Sequence, residues 1–278
     1  MSLDAAPLAL TETAFAKVNL ALHLRRRRSD GFHDLETIFA FAEFGDTLSA
    51  VPAAAVSLTV GGAFGAAAGA GTDNLVLRAA HALADAAGVM AGAALTLDKC
   101  IPVAAGLGGG SADAAAALRL LCRLWRLDWP QARLEALAAG LGAAVPACVR
   151  STTRFGSGRG DVLAPWPGVG TIPMLLVNPG LAVPTGQVFA GWDGIDLGGI
   201  APGATLAGLR NDMTAAAIAI APVIAEVLAA LDATGAELVR MSGSGATCLA
   251  LYADLASRDV AAAVMVPRGW WHRATTLR

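Results

Sequence analysis

A run of glycines near the middle of the chain constrains its fold more than any other segment. The stretch IPVAAGLGGGSADAAAALRLLCRLW, residues 101–125, has glycine at 106, 108, 109 and 110. The strand-like segment ALTLDKCIPV leads into it, and apolar residues at three- and four-residue spacing follow it, as in an amphipathic helix. Because the free N–H groups at a helix N-terminus attract anions, this order predicts a phosphate-binding loop. A loop with a purely structural role is the alternative.

Two common phosphate-binding patterns do not match this run. The pattern GxxxxGK[ST] needs a lysine before the hydroxyl residue, and Gly110 occupies that position before Ser111. The pattern GxGxxG would begin at Gly106 and Gly108, but it meets Ser111 where the third glycine is due, and no βαβ context follows. The glycine run alone therefore leaves the ligand open.

The remaining pattern mixes strands and helices without steady βαβ repetition, which indicates an α+β fold. Residues 13–24 alternate with period two, so a strand there would point Lys17 and Asn19 to one polar side. The glycine-rich residues 61–71 predict a loop, residues 155–170 a glycine-punctuated turn, and residues 213–233 one long helix. The length of 278 residues favours two domains, which we place at 1–160 and 161–278.

Composition excludes several classes of partner. The net charge is −2 and only 15% of residues are charged, so we expect no binding to nucleic acid or to a membrane surface. The most apolar stretch, residues 214–231, contains Pro222 and Glu226 and is typical of a buried helix. The N-terminal segment has Asp4 and Glu12 and no targeting pattern, and the four dispersed cysteines suit a reducing compartment. We therefore expect a cytoplasmic protein.

Four segments of the chain carry a family resemblance. PVAAGLGGGSADAA (102–115) resembles the phosphate-binding motif of the GHMP kinases. AKVNLALHL with DGFHDLETIF, VNPGLAVPTGQVF (177–189) and MSGSGATCLALY (241–252) are similar to the branch of that family that phosphorylates 4-diphosphocytidyl-2-C-methyl-D-erythritol. These motifs span nearly the whole chain in the expected order. The resemblance implies a two-domain α+β GHMP-kinase-like fold with its active site in the interdomain cleft.

The activity implied by the resemblance is ATP-dependent phosphorylation of the 2-hydroxyl of this cytidine diphosphate ester, with Mg²⁺, in non-mevalonate isoprenoid precursor synthesis. The first domain would bind ATP, and the protein would act as a monomer or weak homodimer. Ser111 would be a candidate Mg²⁺ contact. The ATP-binding residues implied by the motif are Pro102, Gly106, Leu107, Gly108, Gly109, Gly110, Ser111 and Ala112.

Lys17 is the catalytic residue that the resemblance implies, because an ammonium beside the acceptor hydroxyl would stabilise the developing alkoxide. Taken alone it could be a surface lysine, although only Lys17 and Lys99 are lysines among 20 basic residues. Phe32 and Phe189 would stack on the cytosine ring, and His33, otherwise a turn histidine, would bond to its edge. The further substrate-binding residues implied are Asn19, Pro184 and Thr185.

The chain departs from the family pattern at one position. Where the family has LGADVP, with an aspartate as general base, residues 141–146 are LGAAVP, so Ala144 replaces the carboxylate. Loss of a positioned base typically costs about 10²- to 10⁴-fold in rate. The chain is then an engineered inactive variant, a natural enzyme that uses water or another carboxylate such as Asp113, or a non-catalytic nucleotide-binding relative.

Two other functions stay open on the sequence. The first is a GHMP kinase that acts on a different alcohol, which would not bind a cytidine nucleotide through Phe32 and Phe189. The second is a binding protein for ATP or cytidine diphosphate esters, which would show no phosphate transfer.

Overall fold

A computed structural model describes residues 9–278, which form two units that each contain several chain segments. Asp4, part of the expectation about targeting, lies outside the described residues. The linear division at residue 160 stays a prediction. Unit 1 comprises the described residues up to Phe15, Gly45–Val103 and Gly109–Arg150, and unit 2 comprises Ala16–Phe44, Ala104–Gly108 and Ser151–Arg278.

Unit 1 is built on the ends of two long strands, β1 (Leu10–Arg27) and β2 (His33–Ala53), which pair with each other. Its part of β2 pairs antiparallel with β4 (Gly92–Asp98), with Thr47 opposite Asp98, and β3 (Ser57–Gly61) pairs parallel with β4. The helices of this unit are α1 (Gly65–Ala68), α2 (Leu75–Ala87), α3 (Gly109–Leu124), α4 (Gln131–Ala139) and α5 (Val145–Arg150).

Local sequence signals explain the main helices of unit 1. Helix α2 begins after Asn74, whose Oδ1 accepts a bond from the Val76 N–H at 2.9 Å, and ends at Gly88 with φ 64°. Helix α3 follows the glycine run and buries Leu118 and Leu121, so the predicted helix with a buried face is confirmed. The predicted loop over residues 61–71 is wrong at 65–68, where the alanine-rich segment forms the short α1.

Unit 2 contains a four-stranded antiparallel sheet in the order β10-β7-β9-β8. Its strands are β7 (Pro173–Asn178), β8 (Leu238–Met241), β9 (Cys248–Leu251) and β10 (Trp271–Thr276). The first part of β2 pairs with β5 (Arg154–Ser157), which pairs with β6 (Val162–Pro165). The helices are α6 (Thr185–Ala190), α7 (Thr214–Ile220), α8 (Val223–Asp232) and α9 (Leu255–Met265).

Two sequence predictions in unit 2 are wrong. The single helix expected over 213–233 is divided into α7 and α8. Pro222 causes the break, because the residue before a proline avoids helical angles, and Ala221 has φ −135° and ψ 84°. The turn expected over 155–170 contains the hairpin β5–β6, with left-handed glycines at 158 and 160 in its connection.

The four cysteines agree with the expectation from the sequence. Cys122, Cys148 and Cys248 are buried and Cys100 is half-buried, and none of these four described residues forms a disulfide, as the sequence predicted for core cysteines. Within residues 9–278, none of the helices has the length and apolar character needed to cross a membrane.

Candidate active site

The glycine run forms a tight turn over 102–108, and α3 starts at Gly109. Gly106 and Gly108 have φ of 79° and 62°, values that residues with a side chain rarely adopt. A Cβ on Gly106 would lie 2.4 Å from the backbone O of Ser242, and one on Gly108 would lie 2.9 Å from Cε of Lys17. Glycine at 106 is therefore required by both conformation and space, and glycine at 108 by its conformation, because the flexible Lys17 side chain can shift.

The turn at 242–245, which links β8 to β9, supports the glycine run. The Ser242 hydroxyl donates to the Gly106 O at 2.9 Å, and the Thr247 N–H donates to the Ala105 O at 3.1 Å. The turn therefore contacts the glycine run directly. The turn also connects two antiparallel strands.

Lys17 lies on β1 beside the same glycines. Its Nζ donates to Asn19 Oδ1 at 2.6 Å and to the Gly106 O at 3.3 Å, and its backbone N–H donates to the Leu107 O at 2.9 Å. Asn19 Nδ2 in turn donates to Thr37 Oγ1 at 2.7 Å. The side chain of Lys17 is buried, so it is not a surface lysine. The period-two prediction that Lys17 and Asn19 point to the same side is confirmed.

The start of α3 provides N–H groups without intrahelical partners. Gly109, Gly110 and Ser111 form its first turn, with Ser111 half-buried and Ala112 buried. Across residues 9–278 no group of three or more histidine, cysteine or acidic side chains could hold a metal ion. The Ser111 hydroxyl at the start of α3 is an oxygen donor of the kind that Mg²⁺ prefers.

A second group of predicted residues gathers around α6 in unit 2. His33 stacks on Phe189, with ring centroids 4.9 Å apart and planes inclined by 28°. His33 Nε2 is buried, and no described polar atom bonds to it. Burial, and then the charge of Arg27, lower the pKa of His33 below its ordinary value. A neutral imidazole with an unused polar atom is therefore available beside an aromatic ring.

Phe32 differs from its neighbour, because its ring is 52% exposed. The Arg159 guanidinium carbon lies 5.1 Å from the Phe32 ring centroid, and Arg159 is itself held by Asp161 at 2.6 Å. Sequence reasoning did not select Arg159, since an arginine in a glycine-rich turn carries no motif. Only the fold of the β5–β6 hairpin brings it to Phe32.

The first turn of α6 joins the two groups of residues. Pro184 precedes the helix in an extended conformation, and Thr185 is its first residue. The Thr185 hydroxyl lies 2.9 Å from the Ser244 hydroxyl, in the turn that supports the glycine run. Thr185 is therefore tied to the SGSG turn.

Ala144 lies in the turn immediately before α5 and is half-buried. Its methyl group neither accepts nor donates a proton. Asp113, the carboxylate considered as a substitute base, is only 3% exposed, and its Oδ2 accepts from Lys99 Nζ at 2.7 Å. Burial raises the pKa of Asp113 to about 7. Burial and the bond to Lys99 both speak against Asp113 as the base.

Comparison with known proteins assigns both parts of the chain to one family. Residues 74–152 match the GHMP kinases N terminal domain, and residues 195–268 match the GHMP kinases C terminal domain. A 4-diphosphocytidyl-2-C-methyl-D-erythritol kinase of Rhizorhabdus wittichii is 54% identical over 96% of this chain and 94% of its own length. One of Novosphingobium aromaticivorans is 50% identical over 98% of this chain and 94% of its own.

A solved structure agrees with these relatives. The crystal structure of a 4-(cytidine 5'-diphospho)-2C-methyl-D-erythritol kinase matches with a TM-score of 0.81 and 34% identity, over 96% of this chain and 99% of that one. The expected two-domain α+β fold is thereby confirmed.

Proposed function

Because the chain belongs to the GHMP kinases, and within them to the 4-diphosphocytidyl-2-C-methyl-D-erythritol kinases, we propose that it phosphorylates the 2-hydroxyl of that ester with ATP. The product would serve non-mevalonate isoprenoid precursor synthesis. One observation carries the proposal: the buried ammonium of Lys17 lies against the Gly106 carbonyl. A cation that could meet an acceptor hydroxyl thus adjoins a loop suited to phosphate.

The ATP phosphates would be held by backbone N–H groups of the glycine run and the first turn of α3. Pro102 and Leu107 are buried and fix this turn, while Gly106 and Gly108 keep its surface free of side chains. The positive end of the α3 dipole favours the negative charge of a triphosphate there. The Ser111 hydroxyl would help to hold Mg²⁺, which would supply positive charge against that of the phosphates.

Lys17 would act at the acceptor end of the reaction. A bond forms between the substrate 2-oxygen and the γ-phosphorus, and the bond from that phosphorus to the bridging oxygen of ADP breaks. Negative charge spreads over the equatorial oxygens, which a nearby ammonium stabilises. With Ala144 at the position of the family's base, the hydroxyl proton would leave to water.

The cytidine end would lie at Phe32, His33 and Phe189. The unused His33 Nε2 suits one hydrogen bond to the cytosine edge, and the exposed Phe32 ring offers a stacking surface. Base–aromatic stacking contributes about 1–3 kcal/mol per base. Asn19, Pro184 and Thr185 would shape the remaining substrate contacts.

The experiment is a coupled ADP-release assay with Mg²⁺, ATP and the cytidylated substrate, together with single-turnover measurements. Lys17→Met, which keeps the length and apolar stem, is expected to lower kcat about 10²- to 10³-fold, and Lys17→Arg, which keeps the charge but needs more room, is expected to restore only part of that loss. Binding of both ligands without transfer, in this chain and in Ala144→Asp alike, would indicate a sensor instead. Turnover of another alcohol, with no calorimetric signal for a cytidine nucleotide, would indicate a different GHMP kinase.

We further propose that the protein works in the cytoplasm as a monomer or weak homodimer. The low net charge and the four dispersed cysteines, none of them in a disulfide, support a cytoplasmic setting. Sedimentation over a range of concentrations tests the oligomeric state.

A further inference from the structure

Three buried ionisable side chains meet within unit 1, close to both ends of the glycine run. Asp46 on β2, Lys99 after β4 and Asp113 on α3 are 0%, 2% and 3% exposed. Lys99 Nζ donates to a carboxylate oxygen of Asp46, and to Asp113 Oδ2 at 2.7 Å. We call these three residues the anchoring cluster. Buried charges persist only when they are paired, so the cluster has to form as a unit.

Asp46 fixes the segment just before the glycine run. Its Oδ1 accepts the backbone N–H of Cys100 at 2.5 Å and that of Ile101 at 2.7 Å. The backbone of Lys99 is also held, because its N–H donates to the Gly61 O at 2.9 Å. The chain therefore approaches Pro102 along a path set by one carboxylate.

Asp113 and Gly109 fix the segment just after the run. A Cβ on Gly109 would lie 2.8 Å from Lys99 Nζ, so the ammonium sits against the first residue of α3. One turn further along that helix, Asp113 bonds to the same ammonium. A cation near a helix N-terminus is unfavourable on its own, and the two carboxylates offset that cost.

The cluster thus joins the point where the chain leaves unit 1, after Val103, to the point where it returns, at Gly109. We propose that Asp46, Lys99 and Asp113 are positioning residues that hold the two ends of the glycine run at the spacing needed to bind the ATP phosphates. None of them touches the reacting atoms. This inference rests on the proposed ATP-binding role of the run.

The test separates positioning from stability. Asp113→Ala removes the link between Lys99 and α3 but leaves Lys99 paired with Asp46, whereas Asp113→Asn keeps an oxygen that can accept from Lys99. We expect Asp113→Ala to lower kcat/KM for ATP about 10- to 100-fold while KM for the cytidylated substrate stays unchanged. Asp113→Asn should restore most of the loss. Leu83→Ala, a buried change on α2, is the control for lost stability alone.

Three outcomes overturn the inference. The first is an Asp113→Ala enzyme with wild-type kinetics for ATP, and the second is an equal loss for both substrates. The third is a loss matched by Leu83→Ala at the same unfolding midpoint. Calorimetry with a non-hydrolysable ATP analogue separates these outcomes from failure of the proposed function. If the unaltered chain does not bind the analogue, the proposed ATP-binding role itself is refuted. If that chain binds the analogue and Asp113→Ala binds it equally well, only the anchoring cluster is refuted.

Discussion

Gly106→Ala is the sharpest probe of the phosphate loop, because its cost follows from geometry alone. The residue has φ 79°, and a left-handed conformation costs a residue with a Cβ about 1–2 kcal/mol. The new Cβ would also meet two backbone oxygens, of Ser242 at 2.4 Å and of Gly245 at 2.8 Å, which no side-chain rotation can move. Overpacking of this kind costs about 1–3 kcal/mol, and the stiffer unfolded chain returns about 0.4–1 kcal/mol. The net loss of unfolding free energy is about 1–5 kcal/mol.

Urea unfolding measures this loss, which should lower the midpoint by about 1 M. Gly110→Ala is the matched control, since the nearest atom to its Cβ would be Leu75 Cδ1 at 3.5 Å. Gly110 lies within α3, where alanine is favoured over glycine by up to about 1 kcal/mol, so its midpoint should stay or rise. An unchanged midpoint in Gly106→Ala, or an equal fall in both variants, would refute the assignment of strain to Gly106.

Three further predictions concern activity and pH. Ala144→Asp should raise turnover at least about 100-fold with little change in ATP affinity. The change should be tolerated because aspartate suits the position before a helix. Equal rates in the ADP-release assay would refute position 144 as the place of the general base. Phe32→Leu should raise KM for the cytidylated substrate about 10-fold and leave KM for ATP unchanged in steady-state kinetics. Burial, and then the charge of Arg210, lower the pKa of His23 below its ordinary value of 6.5. The unfolded chain therefore binds a proton more readily than the folded one. As a result, the free energy of unfolding should fall as the pH falls through 6.5. His23→Gln should flatten this fall between urea midpoints measured at about pH 8 and about pH 5.5; an identical slope would count against it.

The sequence predicted those elements whose signals are local. Glycines 106–110 followed by an apolar period identified the start of α3, and alternation over 13–24 identified the side of β1 that carries Lys17 and Asn19. The prediction of one helix over 213–233 was wrong because it followed the apolar periodicity and gave too little weight to Pro222. The ring of this proline disfavours the helical conformation of the residue before it. Local propensity describes single turns well, but it does not rank a helix breaker against an apolar face.

The parts of the site that the sequence did not reveal depend on long-range pairing. Arg159 reaches Phe32 only because β5 pairs with β2, more than 100 positions earlier in the chain. The pairing of Lys99 with Asp46 likewise follows from the register that sets Thr47 opposite Asp98. No regular spacing in the sequence predicts either contact.

The choice of cation at the glycine run is explained by the same contacts. All but two of the 20 basic residues are arginine, and both lysines lie against this run. A Cβ on Gly108 would lie 2.9 Å from Lys17 Cε, and one on Gly109 would lie 2.8 Å from Lys99 Nζ. A narrow stem with a compact ammonium fits against backbone that has no side chain, whereas a planar guanidinium needs more room. The missing side chains therefore leave room for Lys17 against Gly108 and for Lys99 against Gly109.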